Sequence, residues 1–143
     1  MRDWCQSVLI TVLALTVAGL TGCGRTIMSR EEARSEIRSA VSLSAESEMF
    51  IDYIRRGSAT RSYAEGHARY LEQEAKRSID DLERAVPEAD VEGEVRKCAT
   101  QLKRLDRELS DVQAKLDNDT ALAATRRRMD EIRIALERSQ PNL

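Results

Sequence analysis

Aromatic side chains, glycine, proline and histidine are all scarce in this chain. Of 143 residues, 3% are aromatic, six are glycine, two are proline and one is histidine. A composition rich in Ala, Glu, Arg and Leu, with so few turn-forming residues, favours long helices over sheets. Charged residues make up 34%, but opposite signs are interleaved and the formal net charge is −2, so we expect no nucleic-acid partner.

The residues that most enzymes and metal sites require are also missing. The chain has no Gly-rich phosphate loop and no Gly-x-Ser-x-Gly elbow. A di-iron bundle needs two Glu-x-x-His motifs, but His67 is the single histidine and Ala64 stands three residues before it. His67 and Cys98 are too few for a zinc site. We therefore expect no catalytic residues, metal or cofactor, with a Cys98–His67 nucleophile pair as the weakest alternative.

The N-terminal segment has the pattern of a secretory signal. Arg2 supplies a positive charge, partly offset by Asp3, and an apolar or near-neutral run of 13 residues follows from Val8 to Leu20. The apolar part of a signal peptide spans about 7–15 residues, whereas a bilayer-spanning helix needs about 20. The run therefore predicts a cleaved signal peptide.

The tetrapeptide Leu20-Thr21-Gly22-Cys23 closes this run. It resembles the lipobox of bacterial lipoproteins, in which an aliphatic residue and two small residues precede a cysteine. The resemblance covers residues 1–23 and implies that the Cys23 thiol receives a diacylglycerol and that the preceding peptide bond is cut. Several acyl chains on one residue would make a stable membrane anchor. The alternative is an ordinary signal peptide with a chance cysteine.

These motifs divide the chain into four parts. We expect a lipoprotein signal peptide at 1–22, a lipidated tether at 23–29, a helical bundle at 30–139 and a frayed tail at 140–143. Gly24 stands where an aspartate would imply retention in the inner membrane, so the resemblance favours the outer membrane, facing the periplasm. Cys5 would leave with the signal, and Cys98 alone cannot form an internal disulfide.

Amphipathic periodicity predicts two helices before Pro87. The first begins at the Ser29 N-cap and ends near Arg56, because Gly57 favours a turn, although one helix continuing through Gly57 is the alternative. The second follows the cap-forming residues 58–60 and ends near Ala85. The expected inward residues are Ile37, Val41, Ala45, Met49, Phe50, Tyr53 and Ile54 in the first helix, and Tyr63, His67, Tyr70, Leu71, Ile79, Leu82 and Val86 in the second.

The clearest pattern lies after Pro87. Apolar residues recur in steps of four and three, which predicts one continuous helix over residues 88–116 and permits coiled-coil association between copies. This seam consists of Val91, Val95, Cys98, Leu102, Leu105, Leu109, Val112 and Leu116. A fourth helix is expected from Ala121 to Ser139, with Leu122, Met129, Ile132 and Leu136 inward. The sequence thus predicts an all-α, elongated antiparallel bundle of about four helices with a coiled-coil-like third helix.

Two residue clusters have a structural and a functional interpretation. The first contains every aromatic side chain and the histidine of the bundle, around Gly57: Phe50, Tyr53, Tyr63, His67 and Tyr70. It predicts either an aromatic core or a contact for a partner or a small apolar or cationic ligand. The second is Arg126-Arg127-Arg128 with Arg133, which is expected to form a solvated face rather than a patch for anionic polymers.

The lipobox-like tetrapeptide and the predicted helical bundle together predict a membrane-anchored bacterial envelope lipoprotein. Its expected role is that of a structural or protein-interaction module, with a protein partner or self-association. The alternative is a small-ligand-binding bundle that uses the aromatic cluster of residues 50–70.

Overall fold

The computed structural model describes residues 27–140 and confirms the all-α bundle. The predicted signal segment, the lipobox-like tetrapeptide with Cys23, residues 24–26 and residues 141–143 lie outside the described residues. Within the described range the chain forms five helices and two short strands. These are β1 (Ile27–Met28), α1 (Arg30–Arg55), α2 (Arg61–Arg84), β2 (Val86–Pro87), α3 (Glu92–Ser110), α4 (Val112–Lys115) and α5 (Asp119–Glu137).

The four long helices run antiparallel to their neighbours. α1 packs chiefly against α5, and α2 packs chiefly against α3. At the Gly57 end of the bundle, Arg55 of α1 binds Asp119 at the start of α5, with 2.8 Å between Arg Nε and Asp Oδ1. Lys103 of α3 reaches Glu83 near the end of α2. The first pair aligns the end of α1 with the start of α5, as an up-down bundle requires, and the second joins the end of α2 to the second half of α3.

Local side-chain caps explain where three of the helices begin. The Ser29 hydroxyl accepts a hydrogen bond from the Glu32 N–H, and the Glu32 carboxylate accepts one from the Ser29 N–H at 2.7 Å. This capping box satisfies backbone donors that have no partner within the helix. Thr60 caps α2 and Asn118 caps α5 by the same use of a side-chain oxygen.

Gly57 ends α1, which confirms the predicted turn over the continuous helix. Its φ is +69°, the left-handed region, and the Gly57 N–H donates to the Ile54 carbonyl. A residue with a Cβ atom adopts this conformation at a cost of roughly 1 kcal/mol. Gly57 therefore allows α2 to fold back beside α1 within a few residues.

Replacing Gly57 with alanine should lower the free energy of unfolding by about 1 kcal/mol, because the positive φ is strained for alanine. The matched control is Gly66→Ala within α2, where a new Cβ atom also meets no neighbour. That change should stabilise the fold by about 0.5–1 kcal/mol, since alanine is the better helix former. Urea denaturation of both variants measures the difference, and effects of the same sign would contradict the conformational argument.

Residues 27 and 28 belong to the fold, although we had predicted a tether over residues 23–29. Ile27–Met28 pairs in parallel with Val86–Pro87, and the Glu88 N–H donates to the Met28 carbonyl at 3.1 Å. An ion pair between Arg30 and Asp90 lies beside these strands. The start of the bundle is therefore fastened to the connection between α2 and α3.

The seam after Pro87 faces the core, but it does not form a single helix. α3 begins at Glu92 rather than at residue 88, and Asp111 separates it from the short α4. All the seam residues are buried except Leu116, which is partly buried. The seam thus packs against other helices of the same chain, so it offers no free surface for a coiled coil between copies.

The predicted inner faces of α1 and α2 were partly wrong. Met49 is 70% exposed, and Tyr53, Tyr63 and Tyr70 are 39%, 49% and 49% exposed. Half of the buried residues of these two helices are Ala or Ser. The buried residues are Ala33, Ile37, Ala40, Ser44, Ser47, Glu48, Phe50 and Ile51 in α1, and Ala64, Ala68, Leu71, Ala75, Ile79 and Leu82 in α2. The small side chains let neighbouring helices approach closely, and Met49 and the three tyrosines lie at the rim.

Candidate functional site

The aromatic cluster predicted around Gly57 does form, and it connects α1 to α2. Phe50 lies in the core and meets His67 edge to face, with ring centroids 4.8 Å apart. Tyr63 and His67 stack with centroids 5.4 Å apart and planes 10° from parallel, and Tyr70 stacks on the other side of His67 at 5.7 Å. Tyr53 of α1 contacts Tyr63 edge to face. These are the favoured geometries for aromatic pairs.

This ladder of rings does not form a closed aromatic core. Only Phe50 is buried; the histidine is partly exposed and the tyrosines are exposed. Beside the rings lies an open cleft of about 390 Å³, which Met49 and Arg56 also line. The cluster is therefore an accessible surface with one buried anchor.

Acidic side chains complete this cleft. The Glu46 carboxylate lies 3.6 Å from His67 Nε2, and its side chain is 50% exposed. Asp52 also lines the cleft, but it accepts a hydrogen bond from Arg126 Nε at 3.3 Å. Among the residues that the structure describes, Glu46 forms an ion pair with His67 and with no arginine or lysine. It can accept hydrogen bonds from a cation held against the rings.

A second open cleft of about 360 Å³ adjoins the first and shares Glu46 with it. Its lining includes Tyr70 and Glu74 of α2 and Ser39 and Leu43 of α1. From Ser39 to Tyr53 the rise along α1 is about 21 Å. We call this continuous surface the α1–α2 groove; it is defined by Ser39, Leu43, Glu46, Tyr53, Tyr63, His67, Tyr70 and Glu74.

Glu46 and the second cleft were not predicted from the sequence. Glu46 is one of many charged residues on an amphipathic helix, and nothing local distinguishes it. Its position opposite His67 depends on the crossing of α1 and α2. The aromatic content near Gly57 was the only sequence signal for the groove.

Cys98 and His67 do not form a catalytic pair. Cys98 is fully buried, and burial together with the nearby Glu36 carboxylate raises the pKa of its thiol to about 12. Lys103, about one turn beyond Cys98, contacts Glu83, which lies more than four turns from His67 along α2. The thiol is therefore remote from the histidine and poorly suited to act as a nucleophile.

The arginines of α5 connect helices rather than forming the solvated face that was expected. Arg126 binds Asp52 of α1, and Arg128 makes a bidentate pair with Glu108 of α3 at 2.6 and 2.8 Å. Arg133 donates to Glu48 of α1, as well as to neighbours within α5. Arg127 is exposed. Three of these four cations are thus engaged with carboxylates, which leaves little charge to attract anionic polymers.

Two further properties concern residues 27–140 alone. No group of three or more His, Cys, Asp or Glu side chains in this range is arranged to hold a metal ion. None of its helices has both the length and the apolar character that a bilayer span requires.

Comparison with protein-family models, curated proteins and solved structures found no match to this chain. Its function must therefore be inferred from its own residues, namely the lipobox-like tetrapeptide and the α1–α2 groove.

Proposed function

We propose that this chain is a bacterial envelope lipoprotein whose helical bundle serves as a structural or protein-interaction module. The observation that carries the proposal is the tetrapeptide Leu20-Thr21-Gly22-Cys23, placed directly behind a 13-residue apolar run. Acylated Cys23 would hold the bundle at a membrane through its lipid. Because Gly24 follows the cysteine, we propose the outer membrane, facing the periplasm.

The geometry of the bundle supports a defined orientation under this proposal. Cys23 precedes β1 by four positions, so the lipid would lie within about 14 Å of that strand. The strand pair would then mark the membrane-facing end. α1 has 26 residues and a length of about 39 Å, so the aromatic cluster near its far end would point away from the membrane.

The lipid anchor is tested by metabolic labelling with a palmitate analogue. The wild-type chain should be labelled and should fractionate with membranes, and Cys23→Ala should abolish both properties. Cys5→Ala and Cys98→Ala are matched controls that should keep the label, because the chain has three cysteines and only one lies in the tetrapeptide. Absence of label in the wild type, or label that persists in Cys23→Ala, would refute the anchor.

A second candidate function is the binding of a small apolar or cationic ligand. The open cleft beside Phe50, Tyr53, Tyr63 and His67 favours it, since exposed aromatic rings offer both apolar area and negative ring faces. Self-association through the seam after Pro87 is less favoured, because its residues are covered within one chain.

A further inference from the structure

The shape of the α1–α2 groove favours a polypeptide over a small molecule. Sites for small ligands usually enclose most of the ligand surface. Both clefts of this groove are open, and Glu46 lines both of them. Exposed Tyr and Met side chains at its rim are residue types enriched in protein interfaces.

Its chemistry selects for a planar cation. Tyr63, His67 and Tyr70 form a stack whose outer rings are half exposed, and the Glu46 carboxylate lies beside the central ring. An arginine guanidinium can lie against an aromatic ring while its N–H groups donate to a carboxylate. A lysine ammonium is a point charge and lacks the planar stacking surface.

The other cations of the bundle do not fill this position. Arg126 is committed to Asp52 and Glu48, and Arg55 to Asp119. Arg56 lines the first cleft and Arg38 the second, but they stand ten and eight residues from Glu46, about 15 and 12 Å along α1. Within residues 27–140, the ion pair of Glu46 is the one with His67.

We infer that the α1–α2 groove binds a segment of a partner protein and seats one arginine of that segment against the exposed rings of the Tyr63–His67–Tyr70 ladder, with its N–H groups donating to Glu46. This inference rests on the proposed interaction role, which it makes more specific, but not on the lipid anchor. The Glu46 carboxylate selects a cation over a neutral side chain, and the aromatic rings provide the contact area.

Tyrosine labelling reports on this groove directly, because the chain contains three tyrosines and all of them lie in the cluster. Full-length protein with ¹³C-labelled tyrosine, in detergent, is titrated with the peptide acetyl-Ala-Arg-Ala-amide at millimolar concentrations. We expect concentration-dependent shifts of the Tyr63 and Tyr70 signals. The same peptide with citrulline, which is neutral and nearly the same shape as arginine, should cause much smaller shifts.

Variants separate this site from general charge attraction. Glu46→Gln should weaken binding of the arginine peptide about tenfold, because a charge-assisted hydrogen bond is lost. Glu131→Gln on the exposed surface of α5 should leave binding unchanged. Both positions are exposed, so neither change should perturb the fold, and unchanged circular dichroism and thermal unfolding of the unbound variants would verify this.

Three results would overturn the inference. They are the absence of tyrosine shifts with the arginine peptide, equal shifts with the citrulline peptide, and equal weakening by Glu46→Gln and Glu131→Gln. The same protein is also titrated with choline. Tighter binding of choline than of the peptide would refute a polypeptide partner and favour a small cation. The readout does not depend on acylation of Cys23, so failure here is distinguishable from failure of the anchor.

Discussion

Replacing Leu105 with alanine is expected to lower the free energy of unfolding by about 3 kcal/mol, within the usual range for a buried leucine. Leu105 is fully buried in α3 and belongs to the seam that α2 and α5 cover. The change removes apolar area from the core and leaves a cavity that a tightly packed bundle can fill only partly. Guanidinium denaturation followed by circular dichroism measures the loss.

Leu116→Ala is the matched control for this prediction. Leu116 closes the same seam pattern, but it follows α4 and is only partly buried. Its loss should cost about 1 kcal/mol, because less apolar area leaves the protein interior. Equal losses in the two variants would contradict the assignment of Leu105 to the centre of the core and Leu116 to its edge.

The seam shows how much of this fold the sequence specifies. A regular repeat of large apolar residues placed the inner face of α3 and α5 correctly, since such residues have no other favourable location. Ser29, Thr60 and Gly57 also marked helix boundaries correctly, because their caps and the positive φ depend on local chemistry. Where one residue determines the local structure, the sequence alone was sufficient to predict the helix boundary.

The errors have a common physical cause. In α1 and α2 half of the buried residues are Ala or Ser, and the large side chains Met49, Tyr53 and Tyr63 lie at the rim. Close approach of two helices favours small residues on the shared face, a choice that depends on the partner helix and not on local hydrophobicity. No Gly or Pro stands at the break at Asp111, so nothing in the sequence predicted that the helix ends there.

The candidate site was predictable only in outline for the same reason. The aromatic cluster could be located because the Gly57 turn brings residues of both helices together. The exposure of its tyrosines and the position of Glu46 beside His67 both depend on how α1 and α2 pack together. Composition thus indicated the region of the site, while tertiary packing determined its chemistry.

Removing Arg133 should destabilise the bundle by about 3 kcal/mol, the lower end of the range for breaking a buried ion pair. Its Nε donates to Glu48 Oε1 at 2.8 Å, and the Glu48 side chain is 7% exposed. In Arg133→Met the carboxylate keeps only Arg126, whose nearest nitrogen is 3.5 Å away. A buried charge with incomplete pairing is costly because protein groups no longer replace its lost hydration. Thermal and urea unfolding measure the change.

Replacing Glu48 tests whether the buried Glu48 carboxylate causes the loss of stability in Arg133→Met. In Glu48→Leu, Arg133 keeps Asp130 and Glu137 as partners, and its side chain is partly exposed. Glu48→Leu should therefore cost much less than Arg133→Met, and adding it to Arg133→Met should restore much of the lost stability, because no unpaired buried charge remains. Arg77→Met, which breaks an exposed pair with Glu74, should have little effect. If Arg133→Met had no larger effect than Arg77→Met, the Glu48 carboxylate would have to be hydrated, and the contact between α1 and α5 would be looser than its distances indicate.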